Sequence, residues 1–381
     1  MFFKKLRDCL GGIAATFMLL LWSGSASAEW GLNMRPGVTP ISNEVYDLHM
    51  LILWIVTIIG IIVFGVMFWS IIHHRKSKGA VPAQFHHSTI AEISWTIIPI
   101  LILVGMAIPS THLLVKMEET GDADITVKIT GYQWKWKYDY MNEGVSFYSV
   151  LDEKSNEARQ RGSNIDPKSV EHYLQNVDEP IVLPVNKKIR LLTTGGDVIH
   201  SWWLPDLGWK RDAIPGFIND NWAVIEKVGT YRGQCAELCG KDHGFMPIVL
   251  KAVSEEDYVA WVEKKKQQQA AAAASSDKEF SMEELMANGE GVFSKNCAVC
   301  HMANGQGVPG TFPALAGSPV ATTAEGLPDH IDRLLHGKNL MPAFGEQLSD
   351  ADIAAVITYE RNAWGNDTGD IVQPRDIKAA R

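Results

Sequence analysis

The sequence predicts a multidomain chain: an N-terminal two-helix transmembrane hairpin, an all-β Greek-key barrel and a small all-α domain. Three observations point there. Two long apolar stretches lie early, β-like alternation with turn signals fills the middle, and helix-capping patterns return near the end. The 381 residues suffice for two or three compact domains. With 46% hydrophobic and 21% charged residues, neither a disordered chain nor a protein built mainly of membrane spans fits.

Residues 1–28 read as an export signal. Lys4, Lys5 and Arg7 precede the apolar run Ile13–Trp22, and Ala26-Ser27-Ala28 is an A-x-A cleavage site. That run is about half the ~20 residues a membrane span needs, which disfavours an uncleaved anchor. Cleavage would make Glu29 the N-terminus and remove Cys9, leaving four cysteines.

Residues 29–118 then hold a short outer segment and two spans, Leu48–Ile72 and Ile90–Val115, each able to cross ~30 Å of hydrocarbon as a helix. Pro99 and Pro109 are tolerable in a membrane helix. The connecting loop carries His73, His74, Arg75, Lys76 and Lys78, so it is expected in the cytoplasm. Everything beyond Val115 then lies outside, in agreement with the signal. Glu92 is the sole acidic residue between Asp47 and Glu118. It is either a functional carboxylate at the membrane edge or a plain interfacial group.

The β-rich region covers 119–262. Ile125–Thr130 alternates, and Gly131–Tyr140 alternates without a break, which predicts a strand with Tyr132, Trp134, Trp136, Tyr138 and Tyr140 on one face. Ile181–Val185, Ile189–Thr193, Trp222–Ile225 and Pro247–Val253 are further strands, giving an antiparallel sandwich or barrel. The polar run Asp152–Glu179 reads as a surface insertion. Residues 263–278, with three lysines, three glutamines and five alanines in succession, form a connector, either a solvated helix or a flexible tether. Residues 279–381 read as helical: Ser281 and Glu284 make a capping box, and Ser349 opens Asp350–Asn362. Residues 116–262 carry 17 basic and 23 acidic groups, and residues 277–381 carry 8 and 15. That acidity argues against nucleic acid and permits a basic protein partner.

The densest chemical signal is Cys235-Ala236-Glu237-Leu238-Cys239, followed by His243 and Met246, with His200 upstream. A lone early His with a later Cys, His and Met on one loop is how a cupredoxin-like barrel assembles a copper site. A mononuclear blue-copper site uses two His, one Cys and a weak axial Met. A second Cys allows two thiolates to bridge two coppers, each terminated by one His. A Cys235–Cys239 disulfide would leave the converging His and Met unexplained, and a Cys2His2 zinc site needs no Met. Met246 taken alone is most readily plain core packing.

Cys297-Ala298-Val299-Cys300-His301 is the C-x-x-C-H pattern of covalent haem attachment. The thiols add to the haem vinyl groups and His301 ligates iron. Met341 is the expected sixth ligand, because Met302, next to His301, cannot reach the opposite haem face. His330 and His336 are rival ligands and are expected at the surface. Methionine–histidine ligation raises the iron potential.

These stretches resemble subunit II of haem–copper cytochrome c oxidases. The likeness runs over roughly 40–262, through Glu92–Pro99, Gly131–Tyr140, Asp197–Gly208, Asp212–Gly216 and Tyr231–Pro247. Residues 277–381, with Gly310–Gly317, resemble a fused class I cytochrome c domain. The resemblance implies a binuclear copper A centre held by His200, Cys235, Cys239, His243 and Met246, with the Glu237 carbonyl as a further ligand. It implies that the Glu237 carboxylate binds magnesium shared with subunit I, that Trp134 admits electrons, and that Glu92 stands at the mouth of a proton path. It also implies oxidase subunits I and III and a cytochrome c-type donor as partners. The expected location is a bacterial inner membrane, crossed twice, with the copper and haem domains on the periplasmic side. Three rivals fare worse. Nitrous-oxide reductase needs a His-rich catalytic domain, a periplasmic copper carrier has no use for covalent haem, and a quinol-oxidase subunit lacks these copper ligands.

Overall fold

The computed structural model describes residues 33–381 apart from Ala83, Phe85, Arg161, Gly162, Ser276 and Leu340. The export signal at 1–28 lies outside the described residues. Helix α1 runs Pro40–His73 and α2 runs Thr89–Met117. Thr39 opens α1 in a capping box with Ser42, and Ser88 caps α2. Their most apolar windows have mean hydropathies of 2.9 and 2.1, and both helices are long enough to cross a membrane. Pro99 and Pro109 are accommodated inside α2. Trp54, Phe64 and Leu101 stand exposed on them, as expected where hydrocarbon is the solvent.

Beyond the helices, ten strands among the described residues form two five-stranded sheets. They are β1 (Ile125–Tyr132), β2 (Lys135–Tyr140), β3 (Val145–Ser149), β4 (Ile181–Pro184), β5 (Lys188–Gly195), β6 (His200–Leu204), β7 (Trp209–Ala213), β8 (Asn219–Val224), β9 (Gly229–Cys235) and β10 (Pro247–Val253). One sheet has the order β3-β2-β1-β5-β8 and the other β4-β10-β9-β6-β7. The expected purely antiparallel arrangement is corrected here: β1 pairs with β5, and β10 with β4, in parallel. Long connections make both pairings possible, since a parallel neighbour needs a crossover of a dozen or more residues. Trp136, Tyr138, Trp202, Leu191 and Leu250 are fully buried between the sheets. Truncating either tryptophan to Ala would cost about 3–5 kcal/mol.

The single aromatic strand expected over Gly131–Tyr140 is a hairpin. Tyr132 pairs with Lys135 across a turn at Gln133-Trp134. Paired residues share a face, so the two-residue turn reverses the alternation. Trp136, Tyr138 and Tyr140 face the core with Val127 and Ile129, whereas Tyr132 faces the other way and Trp134 sits at the tip.

The insertion between β3 and β4 contains the short helix α3 (Glu153–Ala158), capped by Asp152. After β10 comes α4 (Glu255–Ser275), so the connector is helical, and it begins before residue 263. Tyr258 and Trp261 of α4 pack on Tyr140, and Lys265 pairs with Glu179 at 2.7 Å.

The C-terminal region holds α5 (Met282–Asn296), α6 (Ala298–His301), α7 (Pro319–Thr322), α8 (Leu327–His336), α9 (Asp350–Asn362) and α10 (Pro374–Ala380). Capping boxes at Ser281/Glu284 and Ser349/Asp352 start α5 and α9. The two helices cross at Gly289, where a Cβ would come within 2.2 Å of the Ala355 carbonyl oxygen, and the Phe293 ring meets those of Tyr359 and Trp364 at a tilt beside that crossing.

Candidate metal centres

His200 opens β6 and Cys235 closes β9, two strands paired at Trp202↔Cys235. The loop after Cys235 returns through Cys239 and His243 to Met246, just before β10. This brings two sulfurs and two imidazoles together. Cys235 Sγ lies 3.8 Å from Cys239 Sγ and 4.0 Å from His200 Nδ1, while Cys239 Sγ lies 3.5 Å from His243 Nδ1 and 3.5 Å from Met246 Sδ. His200, Cys235 and Cys239 offer ligand atoms within 4.8 Å of one another, and all three are buried. Cys235 and Cys239 are free thiols, so the disulfide reading is set aside. The sulfur–sulfur gap lets one cation touch both at the ~2.3 Å typical of thiolate ligation. Soft sulfur with imidazole selects copper or zinc, and a thioether favours copper. The donor set fits a thiolate-bridged copper site.

Several neighbours fix these donors. The Asp197 carboxylate accepts from Gln133 N at 2.7 Å and meets His200 Nε2 at 2.9 Å, which turns Nδ1 toward Cys235. Burial alone would raise the Asp197 carboxyl, but the bonds from His200 and from backbone N–H groups outweigh it and hold it below its ordinary value. Burial likewise opposes charge on His200, yet Asp197 and Cys235 outweigh that and raise it. Between the sulfurs a proton is shared: the bond from Cys239 lowers the Cys235 thiol, while that same contact, with burial, pushes Cys239 up. A bound cation replaces that proton. Trp136 Nε1 donates to the Met246 carbonyl at 3.3 Å, and its ring meets the His200 ring edge-on at 5.9 Å. Gly131 is needed because a Cβ there would lie 2.8 Å from the His200 ring. The roles of Asp197 and Trp136 were not read from sequence, although the i, i+3 spacing of Asp197 and His200 was a usable signal.

The Glu237 carbonyl lies 3.4 Å from Cys235 Sγ, at the cluster, while its side chain is exposed. Trp134 is half-buried at the hairpin tip. Glu92 lies exposed in the first turn of α2, beside Thr89 and Thr96.

In the helical region Cys297 precedes α6, and Cys300 and His301 lie in it; both thiols are free. Burial pushes the Cys297 thiol well up, and Glu360 adds to this. His301 Nδ1 bonds to the Pro313 carbonyl at 2.9 Å, which leaves Nε2 as the nitrogen that could ligate a metal. Met341 packs against the apolar cluster of Phe293, Leu334 and Val356. The thiol pair, oriented imidazole and apolar-lined thioether fit covalent haem. The surface position expected for His330 is corrected. It is 2% exposed, with Nε2 on Glu360 Oε2 at 2.7 Å and a buried Nδ1 that has no partner. A carboxylate on the neighbouring helix α9 makes this burial tolerable. His336 is exposed and paired with Asp332.

Fold and donor sets together define a class: a membrane-anchored metalloprotein of cupredoxin-like fold with a cytochrome-type domain attached. Comparison with known proteins narrows this. The family model for the cytochrome c oxidase subunit II periplasmic domain matches residues 125–253, and that for its transmembrane domain matches 27–113. The model for cytochrome c oxidase, cbb3-type, subunit III matches 284–359. A probable cytochrome c oxidase subunit 2 of Rickettsia felis is 40% identical over 254 residues, covering 66% of this chain and 78% of that protein. Cytochrome c oxidase subunit 2 of Cereibacter sphaeroides is 38% identical over 242 residues, covering 61% and 80%. Among solved structures, the periplasmic domain of subunit II of cytochrome oxidase from Bradyrhizobium japonicum is 41% identical, with a TM-score of 0.34, covering 39% of this chain and 98% of that one. The chain belongs to the cytochrome c oxidase subunit II family and carries an additional C-terminal cytochrome c domain. It is therefore a membrane protein and a component of an oxidase, in families that imply copper and haem.

Proposed function

We propose that this chain takes electrons from a cytochrome c-type donor and hands them, through covalent haem c and binuclear copper A, to subunit I for reduction of oxygen to water. Its setting is a bacterial inner membrane, beside subunits I and III, with both cofactor domains on the periplasmic side. The carrying observation is the pair of sulfurs 3.8 Å apart, each with an imidazole Nδ1 at its flank. When bound, the copper pair and the haem each accept and release one electron at a time.

The remaining work falls to side chains of this chain. Cys235 and Cys239 would hold the copper pair, with His200, His243, Met246 and the Glu237 carbonyl as the other donors. Asp197 fixes the His200 ring, so the site needs little rearrangement when its charge changes. The exposed Glu237 carboxylate is free to share magnesium with subunit I. Cys297 and Cys300 would hold haem covalently, with His301 and Met341 as the residues that would ligate its iron. Trp134 admits electrons from the haem domain, and Glu92 takes up protons at the edge of α2. The domains run 29–118, 119–262 and 279–381, with 263–278 between the last two.

Elemental analysis of the purified oxidase tests this reading, alongside a haem stain on the denatured chain. Two coppers for each haem iron of this chain, with haem surviving denaturation, are expected once subunit I metals are subtracted. A chain with zinc in place of copper, or with haem that washes off, overturns it.

A further inference from the structure

Met341, the thioether expected on the haem iron, lies just after α8, where the chain doubles back. Gly337 makes that turn: its φ is +76°, and a Cβ there would lie 2.6 Å from the Met341 carbonyl oxygen. Lys338 and Met341 exchange a pair of backbone hydrogen bonds, each of 3.0 Å. Phe344 N and Gly345 N then donate to the Leu334 and Leu335 carbonyls at 2.7 and 3.1 Å, which satisfies the open end of α8. These bonds set the base of a loop with Met341 near its tip, so the position of the sulfur depends on how firmly that base is held.

Arg381 grips the base from outside. Its guanidinium donates from Nη1 to the Gly345 carbonyl, from Nη2 to the Leu348 carbonyl at 3.0 Å, and from Nε to Asp350 Oδ1 at 2.5 Å. Asp350 is the first residue of α9, so one planar fork joins the loop base, the turn after it and the start of a core helix. Arg381 is fixed in turn by α10. Ile377 of α10 is fully buried, and its carbonyl accepts from Arg381 N at 3.1 Å. The far end of α10 is tied to the chain ahead of α5. Gln373 exchanges hydrogen bonds with the Phe280 backbone at 3.0 and 2.9 Å, Arg375 pairs with Glu279 at 2.6 Å, and Lys378 pairs with Asp277 at 2.8 Å. Residues 373–381 are thus a strap that runs from the entry of the helical domain to the base of the Met341 loop.

We propose that Arg381 is a positioning residue for Met341: it holds the thioether loop shut and so sets how readily that loop opens away from the haem iron. This deepens the function proposed above and rests on Met341 as the sixth ligand of covalent haem. A guanidinium that serves two backbone carbonyls and a carboxylate makes stronger bonds than neutral donors would, and its fork fixes all three acceptors in one plane. Arg375 works at the opposite end of the strap. Its loss loosens α10 there and leaves the grip on Gly345, Leu348 and Asp350 in place.

The purified oxidase carrying Arg381→Ala tests this, with Arg381→Lys and Arg375→Ala as companions. Near-infrared magnetic circular dichroism of the ferric haem reports a thioether ligand through its own charge-transfer band, and added imidazole competes for that position. Arg381→Ala should lower the imidazole concentration that displaces the band by about tenfold, as expected when charged hydrogen bonds at the loop base are lost. Arg381→Lys should recover part of that loss, and Arg375→Ala should match the parent. Amide hydrogen exchange of residues 341–348 should quicken in Arg381→Ala, a readout that does not pass through the haem. Parent-like displacement in Arg381→Ala overturns the proposal even if exchange quickens. An equal loss in Arg375→Ala also overturns it, since Arg381 would then act through overall stability alone. A parent oxidase without the thioether band overturns Met341 as ligand, and the proposal with it, whereas a parent with the band and an unaffected Arg381→Ala variant overturns the proposal alone.

Discussion

The indole Nε1 of Trp134 donates a hydrogen bond to the Cys239 carbonyl oxygen at 3.2 Å. Gln133 Nε2 donates to the same oxygen at 2.9 Å, so the hairpin tip is tied directly to the loop that bears the paired thiols. Trp134→Phe removes one such bond, at about 0.5–1.5 kcal/mol, and leaves Gln133 in place. Copper and haem contents should stay unchanged while electron transfer into the copper site slows, as followed by rapid-mixing spectroscopy. An unchanged rate would return Trp134 to a packing role.

Met246 is buried with its sulfur 3.5 Å from Cys239 Sγ. Met246→Leu conserves volume, so stability should fall by less than about 1.5 kcal/mol. The copper absorption bands should nevertheless shift, with the haem bands untouched. Identical copper bands would remove the thioether from the donor set.

Cys297 is buried and Cys300 partly so, both beside His301. With Cys297 and Cys300 both replaced by Ala, haem staining of the denatured chain should vanish while the copper signal persists. Haem that stays covalently attached in that variant would contradict the assignment.

Burial lowers the Lys135 ammonium to about 8, with Cys297, Asp197 and Asp178 opposing the shift. A lysine depressed on burial disfavours its buried position beside Phe344 while protonated, so the packing around it should tighten as pH rises from about 8 toward the ordinary lysine value of about 10.4. Hydrogen-exchange protection of strand β2 around Lys135, corrected for the intrinsic pH dependence of exchange, should follow that rise. Lys135→Met should flatten it.

The convergence of the candidate donors was largely legible in the sequence, because metal donors must be particular residue types at close spacing on one loop. Cys235, Cys239, His243 and Met246 announce themselves that way, and the capping boxes at Ser281 and Ser349 marked where helices begin. Long-range geometry was less legible. Alternation through Gly131–Tyr140 looked continuous because a two-residue turn leaves the period intact while exchanging the faces. The parallel pairing of β1 with β5 is set by tertiary packing, and no local pattern encodes it. His330 looked like a surface residue because its buried partner, Glu360, is 30 residues away.

Gly131 illustrates a position where backbone and site meet. Gly131→Ala would push a methyl group to 2.8 Å from the His200 ring. The resulting overpacking should cost about 1–3 kcal/mol and lower copper occupancy. Thermal unfolding and copper analysis of the purified variant check both expectations.

The paired sulfurs of Cys235 and Cys239 are most directly tested by the electron paramagnetic resonance spectrum of the oxidised copper site. An unpaired electron shared equally by two copper nuclei gives seven hyperfine lines, with two coppers per chain, and that is the expected result. Four lines with one copper per chain would mean that the electron resides on a single metal, and would contradict a bridged pair.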